Sequence, residues 1–291
     1  WLFNQLPMYQ RVGKAAYKAN LDTTIQLLEA LGNPQNKFKA IHIAGTNGKG
    51  SVAHITSSIL QEAGYKTGLY TSPHLRDCRE RIRLNGNMVE EDFVRNFVSK
   101  NKKILDNIKP SFFEMTVAMA YEYFASQNID IAVLETGMGG RLDSTNICKP
   151  LITAITNIGL DHTAFLGNSM EKIAAEKAGI IKNKIPVIIG RKQSETHKVF
   201  EEFSIENNAE LIYAEDEISI KILNTPKLFN LSFDIWHKNE LLAENASCPL
   251  AAEYQKENIS TAISIAVKLN EGNLNIDKDS ILSGLKNVIS N

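Results

Sequence analysis

A seven-residue segment, Gly-Thr-Asn-Gly-Lys-Gly-Ser, combines the residue types that bind phosphate groups. It follows an apolar run at residues 40–44 and precedes a helical pattern at residues 52–63. Glycines let successive backbone N–H groups turn towards one anion, a helix N-terminus adds positive potential, and a lysine supplies a mobile charge. The candidate phosphate-binding residues are Gly45, Thr46, Asn47, Gly48, Lys49, Gly50 and Ser51.

The segment departs from the common phosphate-loop pattern, because Gly50 separates Lys49 from Ser51. Strand, glycine-rich loop and helix nevertheless occur in the order that phosphate binding requires. We therefore expect the loop to hold the phosphates of ATP. A glycine turn with an incidental lysine is the alternative.

Two oxygen-bearing side chains follow other apolar, β-branched runs. Ser72 comes after the run at residues 67–71, and Glu135 ends the run at residues 129–135. In an open parallel sheet, ligands bind at the carboxyl ends of the strands, so both side chains should lie beside the phosphate loop. Mg²⁺ prefers oxygen ligands, and phosphate oxygens would complete such a site. Each residue could also be an ordinary solvated side chain at a strand end.

The elements that would position these residues alternate along the chain. Short apolar runs, at residues 40–44, 67–71, 129–135, 152–157 and 186–189, are separated by helical patterns. This alternation is typical of βαβ units, so we expect an α/β fold with a mostly parallel sheet and helices on both faces. Alternating apolar residues at about 218–245 predict a small β-rich appendage, and two further helices should follow it.

The composition excludes several classes of protein. The chain has 291 residues, with 32 Lys and Arg against 33 Asp and Glu, which gives no basic surface for nucleic acid. No apolar run is long enough to span a membrane. The three cysteines are far apart and form neither a metal-binding spacing nor a disulfide framework. We therefore expect a cytoplasmic protein, and we expect a monomer.

Several segments in a fixed order resemble the folylpolyglutamate and dihydrofolate synthases, a branch of the Mur ligase superfamily. Besides the phosphate loop, the similar segments are TSPHL at 71–75, ERIRLNG at 80–86, ETGMGGRLDSTN at 135–146, NIGLDHT at 157–163, EKAG at 176–179 and QKEN at 255–258. The resemblance implies a central-domain fold of the Mur ligase type with a phosphate loop. Residues 1–44 are too short for the sugar-nucleotide domain that precedes this loop in cell-wall ligases, which favours the folate branch.

The resemblance also implies roles for single residues. His162 is similar to the family histidine that binds a second Mg²⁺ beside Ser72 and Glu135, and Lys177 is similar to a family lysine that can carry a carbamate. Asn258 is similar to the residue that hydrogen-bonds the nucleotide. Lys49, Lys177 and His162 are thus the candidate catalytic residues. Without the resemblance, His162, Lys177 and Asn258 could be ordinary surface or helix-face residues.

For the folate end, the resemblance makes Phe113 and Asp143 the best candidates. A flat ring can stack on a pterin, and a carboxylate can accept hydrogen bonds from its amino-pyrimidine edge. Arg81 is a candidate anion contact. Phe113 could equally belong to a core helix, and Arg81 could be a surface charge.

The activity implied is ATP-dependent amide-bond formation, in which the γ-phosphate activates a carboxylic acid as an acyl phosphate and L-glutamate attacks it. The acceptor would be dihydropteroate, a reduced folate such as tetrahydrofolate, or both. The family carries a further C-terminal glutamate-ligase domain. We expect residues 1–291 to lack this domain and, for that reason, to lack full activity. The alternatives are another Mur-type ligase and an ATP-binding module without ligase chemistry.

Overall fold

The computed structural model describes residues 20–223, 230–250 and 252–289. Elements are numbered within these ranges. The strands are β1 Lys39–Ala44, β2 Thr67–Tyr70, β3 Ile82–Leu84, β4 Asn87–Met88, β5 Ile131–Glu135, β6 Pro150–Ile155, β7 Val187–Ile189, β8 Leu211–Tyr213, β9 Ile218–Ile222, β10 Leu231–His237 and β11 Glu240–Cys248. The helices are α1 Asp22–Ala30, α2 Lys49–Glu62, α3 Glu91–Ile108, α4 Phe112–Ser126, α5 Thr163–Leu166, α6 Met170–Ala178, α7 His197–Glu206, α8 Ala214–Glu217, α9 Gln255–Glu271 and α10 Lys278–Asn287.

Eight strands form one sheet in the order β4-β3-β2-β5-β1-β6-β7-β8. The six strands from β2 to β8 are parallel, and the hairpin β3–β4 adds an antiparallel edge next to β2. The strand order reverses at β1, whose neighbours are β5 and β6. The phosphate loop follows β1, so it lies at the switch point where α/β sheets bind their ligands.

The central strands are apolar throughout because helices cover both faces of the sheet. Ile131 and Val133 of β5 face a core shared with α2, α9 and α10, whereas Ala132 and Leu134 face a core shared with α1, α3 and α4. This alternation follows the period of two in an extended strand. A third apolar cluster packs α6 and α7 against the end of the sheet that contains β7 and β8.

Strands β9, β10 and β11 form a separate antiparallel sheet. Its apolar side chains, among them Phe233 and Ile235, join the same core as α9. The predicted fold class, a mostly parallel sheet with helices on both faces and a small β-rich appendage, is confirmed. The appendage extends to Cys248, slightly beyond the predicted limit of about 245.

The sequence analysis did not find three short strands, β3, β4 and β8, which contain two or three residues each. The helix after the phosphate loop also begins earlier than predicted, at Lys49 rather than at residue 52. Gly48 has φ +81°, a left-handed conformation that suits glycine and turns the chain directly into the helix. Lys49, Gly50 and Ser51 therefore belong to the first helical turn.

Candidate nucleotide-binding site

The phosphate loop is a close-packed turn between β1 and α2. Gly45 and Gly48 both have positive φ, and neither position has room for a side chain. A Cβ at Gly45 would overlap Thr156, and one at Gly48 would overlap the side-chain oxygen of Asn258. The loop thus needs glycine for both its conformation and its packing, as expected of a turn whose backbone N–H groups face an anion.

Polar residues after β6 hold this loop in place. The Thr156 hydroxyl donates to the Asn47 carbonyl at 2.5 Å, and the Asn47 N–H donates to Asn157 Oδ1 at 3.0 Å. The Thr46 N–H donates to the Asn157 carbonyl at 2.8 Å. The sequence analysis did not assign these roles to Thr156 and Asn157, although polar residues directly after a buried strand mark the sheet edge where they act.

The N-terminus of α9 covers the loop from another direction. Asn258 Nδ2 donates to Gln255 Oε1 at 2.7 Å, and Gln255 Nε2 donates to the Ser51 hydroxyl at 3.3 Å. Gln255 and Asn258 are both buried. The structure therefore brings Asn258 onto the phosphate loop, across more than 200 residues of sequence.

Glu135 lies at the carboxyl end of β5, 4% exposed, and faces the first turn of α2. A Cβ added at Gly50 would be 3.7 Å from each of its carboxylate oxygens. Burial raises the pKa of Glu135 to about 7, while the positive charge of Lys49 and a 2.9 Å hydrogen bond from the Ser72 N–H oppose that shift. The structure thus brings Glu135, Lys49 and Ser72 together.

Lys177 in α6 is buried on the other side of the loop, where its Nζ donates to the Gly45 carbonyl at 2.7 Å. Burial lowers its pKa to about 7, and repulsion by Lys49 acts in the same direction. Asp161 and Asp143 oppose the shift. Lys177 is therefore a buried amine at the phosphate loop rather than a solvated lysine on a helix face.

His162 is placed at the N-cap of α5 in a left-handed conformation, with φ 48°. Its backbone N–H donates to Asp161 Oδ1 at 2.8 Å, and its ring Nε2 lies 3.6 Å from Asp161 Oδ2. The side chain is about one-third exposed, at the same sheet edge as the phosphate loop. Among the described ranges, no three His, Cys, Asp or Glu side chains form a ready-made metal site.

The candidate folate-binding residues form a neighbouring group. The Phe113 ring packs against Gly137, where an added Cβ would be 2.5 Å from the ring, and against Tyr70. Asp143 also contacts this turn, because its Oδ2 accepts from the Gly137 and Met138 N–H groups at 2.8 and 3.0 Å. Its Oδ1 accepts from Thr145.

All these partners of Asp143 come from its own loop, so its carboxylate organises the turn after β5. Burial raises the pKa of Asp143, and those hydrogen bonds oppose the shift. Arg81 is buried as well; its Nε donates to His74 Nδ1 at 2.8 Å, and its guanidinium lies over Phe112. Direct contacts of Phe113, Asp143 and Arg81 with a substrate stay predictions.

The sequence from residue 43 to residue 266 matches the family model of the Mur ligase middle domain. The chain belongs to this family. Over 280 residues, the chain is 36% identical to the dihydrofolate synthase/folylpolyglutamate synthase of Bacillus subtilis. The aligned region covers 94% of this chain and 65% of that enzyme. The predicted resemblance is thus confirmed.

Solved structures agree with this assignment to the Mur ligase middle domain family. The folylpolyglutamate synthase of Thermotoga maritima has a TM-score of 0.85 and 38% identity, covering 94% of this chain and 63% of that one. A folylpolyglutamate synthase (FPGS) structure, the FPGS–AMPPCP–folate complex, has a TM-score of 0.88 and 28% identity. The match covers 99% of this chain and 70% of that one. The chain therefore spans less than two thirds of the length of the first two of these relatives.

Proposed function

We propose that this chain forms the ATP-binding part of a ligase that joins L-glutamate to dihydropteroate, to tetrahydrofolate and its polyglutamates, or to both. The observation that supports this proposal most directly is that two buried ionisable groups, Glu135 and Lys177, both lie close enough to Lys49 to feel its charge. A structural turn has no need of two such costly groups. The similarity to a dihydrofolate synthase/folylpolyglutamate synthase and to an FPGS–AMPPCP–folate complex supports the choice of substrates.

In this proposal the phosphate loop binds the triphosphate through its N–H groups, and Lys49 neutralises charge on the phosphoryl group that moves to the acid. The amine of glutamate then attacks the acyl carbon of the resulting acyl phosphate, and inorganic phosphate leaves as the amide bond forms and the nitrogen loses a proton. Positioning and charge neutralisation supply the catalysis, so no covalent enzyme intermediate is needed. We further propose that residues 1–291 act as one ATP-binding domain with residues 218–248 as its β-rich appendage.

The proposed metal ligands are Ser72, Glu135 and His162, with nucleotide oxygens completing the coordination. A buried carboxylate beside the phosphate loop fits a hard cation, because a divalent charge would stabilise the ionised form that burial disfavours. When bound, Mg²⁺ would screen the charge on the phosphates. The residues of the chain would orient the cation and the triphosphate relative to each other.

Lys177 is the proposed site of a carbamate. Carbamate formation requires a neutral amine, and a pKa of about 7 leaves a large neutral fraction near neutral pH. The product is an anionic oxygen ligand in place of a cation. It would remove the repulsion between Lys177 and Lys49 and add an oxygen ligand beside the loop.

The decisive test is a product assay of the full-length enzyme with ATP, Mg²⁺, glutamate and each acid acceptor in turn. A ligase forms ADP and the glutamyl product together, and Lys49→Ala should lower that rate by at least about a hundredfold with an unchanged circular dichroism spectrum. Lys103→Ala, which changes an exposed lysine in α3, is the matched control.

Nucleotide binding without product for any acceptor would favour the simple ATP-binding module. Product formation only with a muramyl-peptide acid would favour another type of Mur ligase. Full activity of Lys49→Ala would remove the role assigned to this lysine.

A further inference from the structure

Gln193, in the loop between β7 and α7, makes an unusual pair of hydrogen bonds to the backbone of one residue. Its Oε1 accepts from the Ile158 N–H at 2.8 Å, and its Nε2 donates to the Ile158 carbonyl at 2.9 Å. A side-chain amide that engages both groups of one residue imitates the pairing of a neighbouring strand. Ile158 is buried, so both of its backbone groups need a partner.

Thr46 of the phosphate loop makes the same kind of paired hydrogen bonds to the backbone of the next residue, Gly159. Its hydroxyl accepts from the Gly159 N–H at 2.9 Å and donates to the Gly159 carbonyl at 3.3 Å. Consecutive residues, Ile158 and Gly159, are thus held from opposite sides by Gln193 and Thr46. The segment after β6 is clamped between the loops that follow its two neighbouring strands.

The backbone of Gln193 is itself held in position. The backbone carbonyl of Gln193 accepts from the backbone N–H groups of Thr196 and His197 at the start of α7, at 3.1 and 3.0 Å. Gln193 therefore connects a helix N-terminus rigidly to the segment after β6. Preorganised second-layer hydrogen bonds of this kind fix the residues that contact a ligand.

The clamped segment leads directly to Asp161 and His162. Only Gly159 and Leu160 separate Ile158 from Asp161, and Leu160 is 65% exposed with little packing to fix the turn. We propose that Gln193 is a positioning residue that holds this turn in register with the phosphate loop, so that His162 is placed for the metal and its nucleotide. This inference rests on the proposed function, because His162 is there a metal ligand.

The test compares Gln193→Met with the unchanged chain, since methionine keeps the length of the side chain but removes both hydrogen bonds. ADP affinity is measured by calorimetry in Mg²⁺ and again in EDTA. The gain in affinity that Mg²⁺ produces should fall about tenfold, as expected from the loss of one or two buried hydrogen bonds. Affinity in EDTA should stay within about twofold, because the phosphate loop is not touched. Ser194→Ala, an exposed neighbour, should change neither value.

Two further readouts separate positioning from a merely structural role. In a double-mutant cycle, Gln193→Met should have almost no added effect on the Mg²⁺-dependent gain once His162→Ala is present. Amide hydrogen exchange at Ile158 and Gly159 should be at least about tenfold faster in Gln193→Met without any ligand.

The inference is overturned if Gln193→Met keeps the full gain from Mg²⁺, weakens binding equally in EDTA, or adds fully to His162→Ala. Failure of the unchanged chain to bind nucleotide at all would instead refute the proposed function. The exchange rates at Ile158 and Gly159 would then still decide whether Gln193 fixes the turn.

Discussion

At the residue scale, the candidate nucleotide site combines an acid and a base, and burial favours the neutral form of each. Glu135 and Lys177 are both almost fully buried, and burial is the largest cause of each pKa shift. Lys49 acts on both, since it favours the charged form of Glu135 and disfavours that of Lys177. Burial of these two ionisable groups is therefore costly, and a cation beside Glu135 or an anion beside Lys177 would reduce that cost.

Glu135→Gln should change how stability depends on pH. The pKa of Glu135 rises from 4.5 to about 7 in the folded state, so the folded state binds more protons between these values. Its contribution to stability is present below pH 4.5 and is lost as the pH rises through 7. Relative to the unchanged chain, Glu135→Gln should gain about 1–3 kcal/mol in unfolding free energy between pH 4.5 and 8, measured by urea titration. Parallel pH profiles would contradict this assignment.

Lys177 should react with carbon dioxide more readily than a surface lysine. With ¹³C-labelled bicarbonate, the ¹³C NMR spectrum should show a carbamate signal that grows, at constant dissolved CO₂, as the pH rises through about 7. Lys177→Met should remove the signal. Lys172→Met, at an exposed position of the same helix, should keep it. A signal that survives in Lys177→Met would assign the carbamate elsewhere.

The sequence predicted where several of these residues lie in the fold, but not the side chains and backbone groups that surround them. Glu135, Ser72 and Lys49 could be placed at one sheet edge because strand ends and a glycine loop are visible in the pattern. The hydrogen bond from Lys177 to Gly45 spans 132 residues, and no local pattern encodes it. Gln193 was missed because a single amide in a loop has no motif, and its partner is backbone.

At the element scale, the site depends on how α2 and α9 meet at Gly48. Its left-handed conformation begins α2, and its missing side chain admits the Asn258 amide. One glycine thus sets both the direction in which α2 begins and how closely α9 approaches it.

Gly48→Ala and Gly64→Ala form a matched pair that separates backbone strain from crowding against Asn258. Both glycines have φ above +80°, but a Cβ at Gly64 meets nothing within 4 Å. Each substitution should therefore cost about 1 kcal/mol or more of stability from backbone strain. Only Gly48→Ala should also weaken ADP binding, by about tenfold or more, in calorimetry. Equal affinities in the two variants would show that the contact between Gly48 and Asn258 is unimportant for binding.

The longer strands could be predicted from the sequence, and the shortest strands could not. The five core strands that the sequence indicated are apolar runs buried on both faces, a pattern that survives without tertiary information. Strands β3, β4 and β8 are too short for any period to show. They are strands because a neighbouring strand offers hydrogen bonds, which is a property of the assembled sheet rather than of the segment.

At the scale of the whole molecule, α10 closes the fold by packing on the back of α2. Gly284 of α10 approaches so closely that a Cβ there would overlap the backbone of Ile59. The two helices share an apolar core with α9 and the three-stranded sheet. The helix that begins at the phosphate loop is therefore supported from behind by the last described helix.

Gly284→Ala should destabilise the protein by about 1–3 kcal/mol, because the added methyl group must push α10 away from α2. The gain in helix propensity offsets only about 1 kcal/mol of this. Gly272→Ala, where the added Cβ would be no closer than 3.4 Å to its neighbours, is the control and should change the urea midpoint little. Identical midpoints for the two variants would mean that the helices have room to adjust.

The hydrogen bond between Ser51 and Gln255 has a consequence for how the chain folds during its translation. The two residues are 204 positions apart, and translation at 5–20 residues per second separates their appearance by about 10–40 s. For that interval a nascent chain holds the residues of the glycine turn without α9, and for the first part of it also without Thr156 and Asn157, which hold the turn in place. Ribosome-bound chains stalled before and after α9 should differ in protection of the turn from protease, with ADP adding protection only to the longer ones.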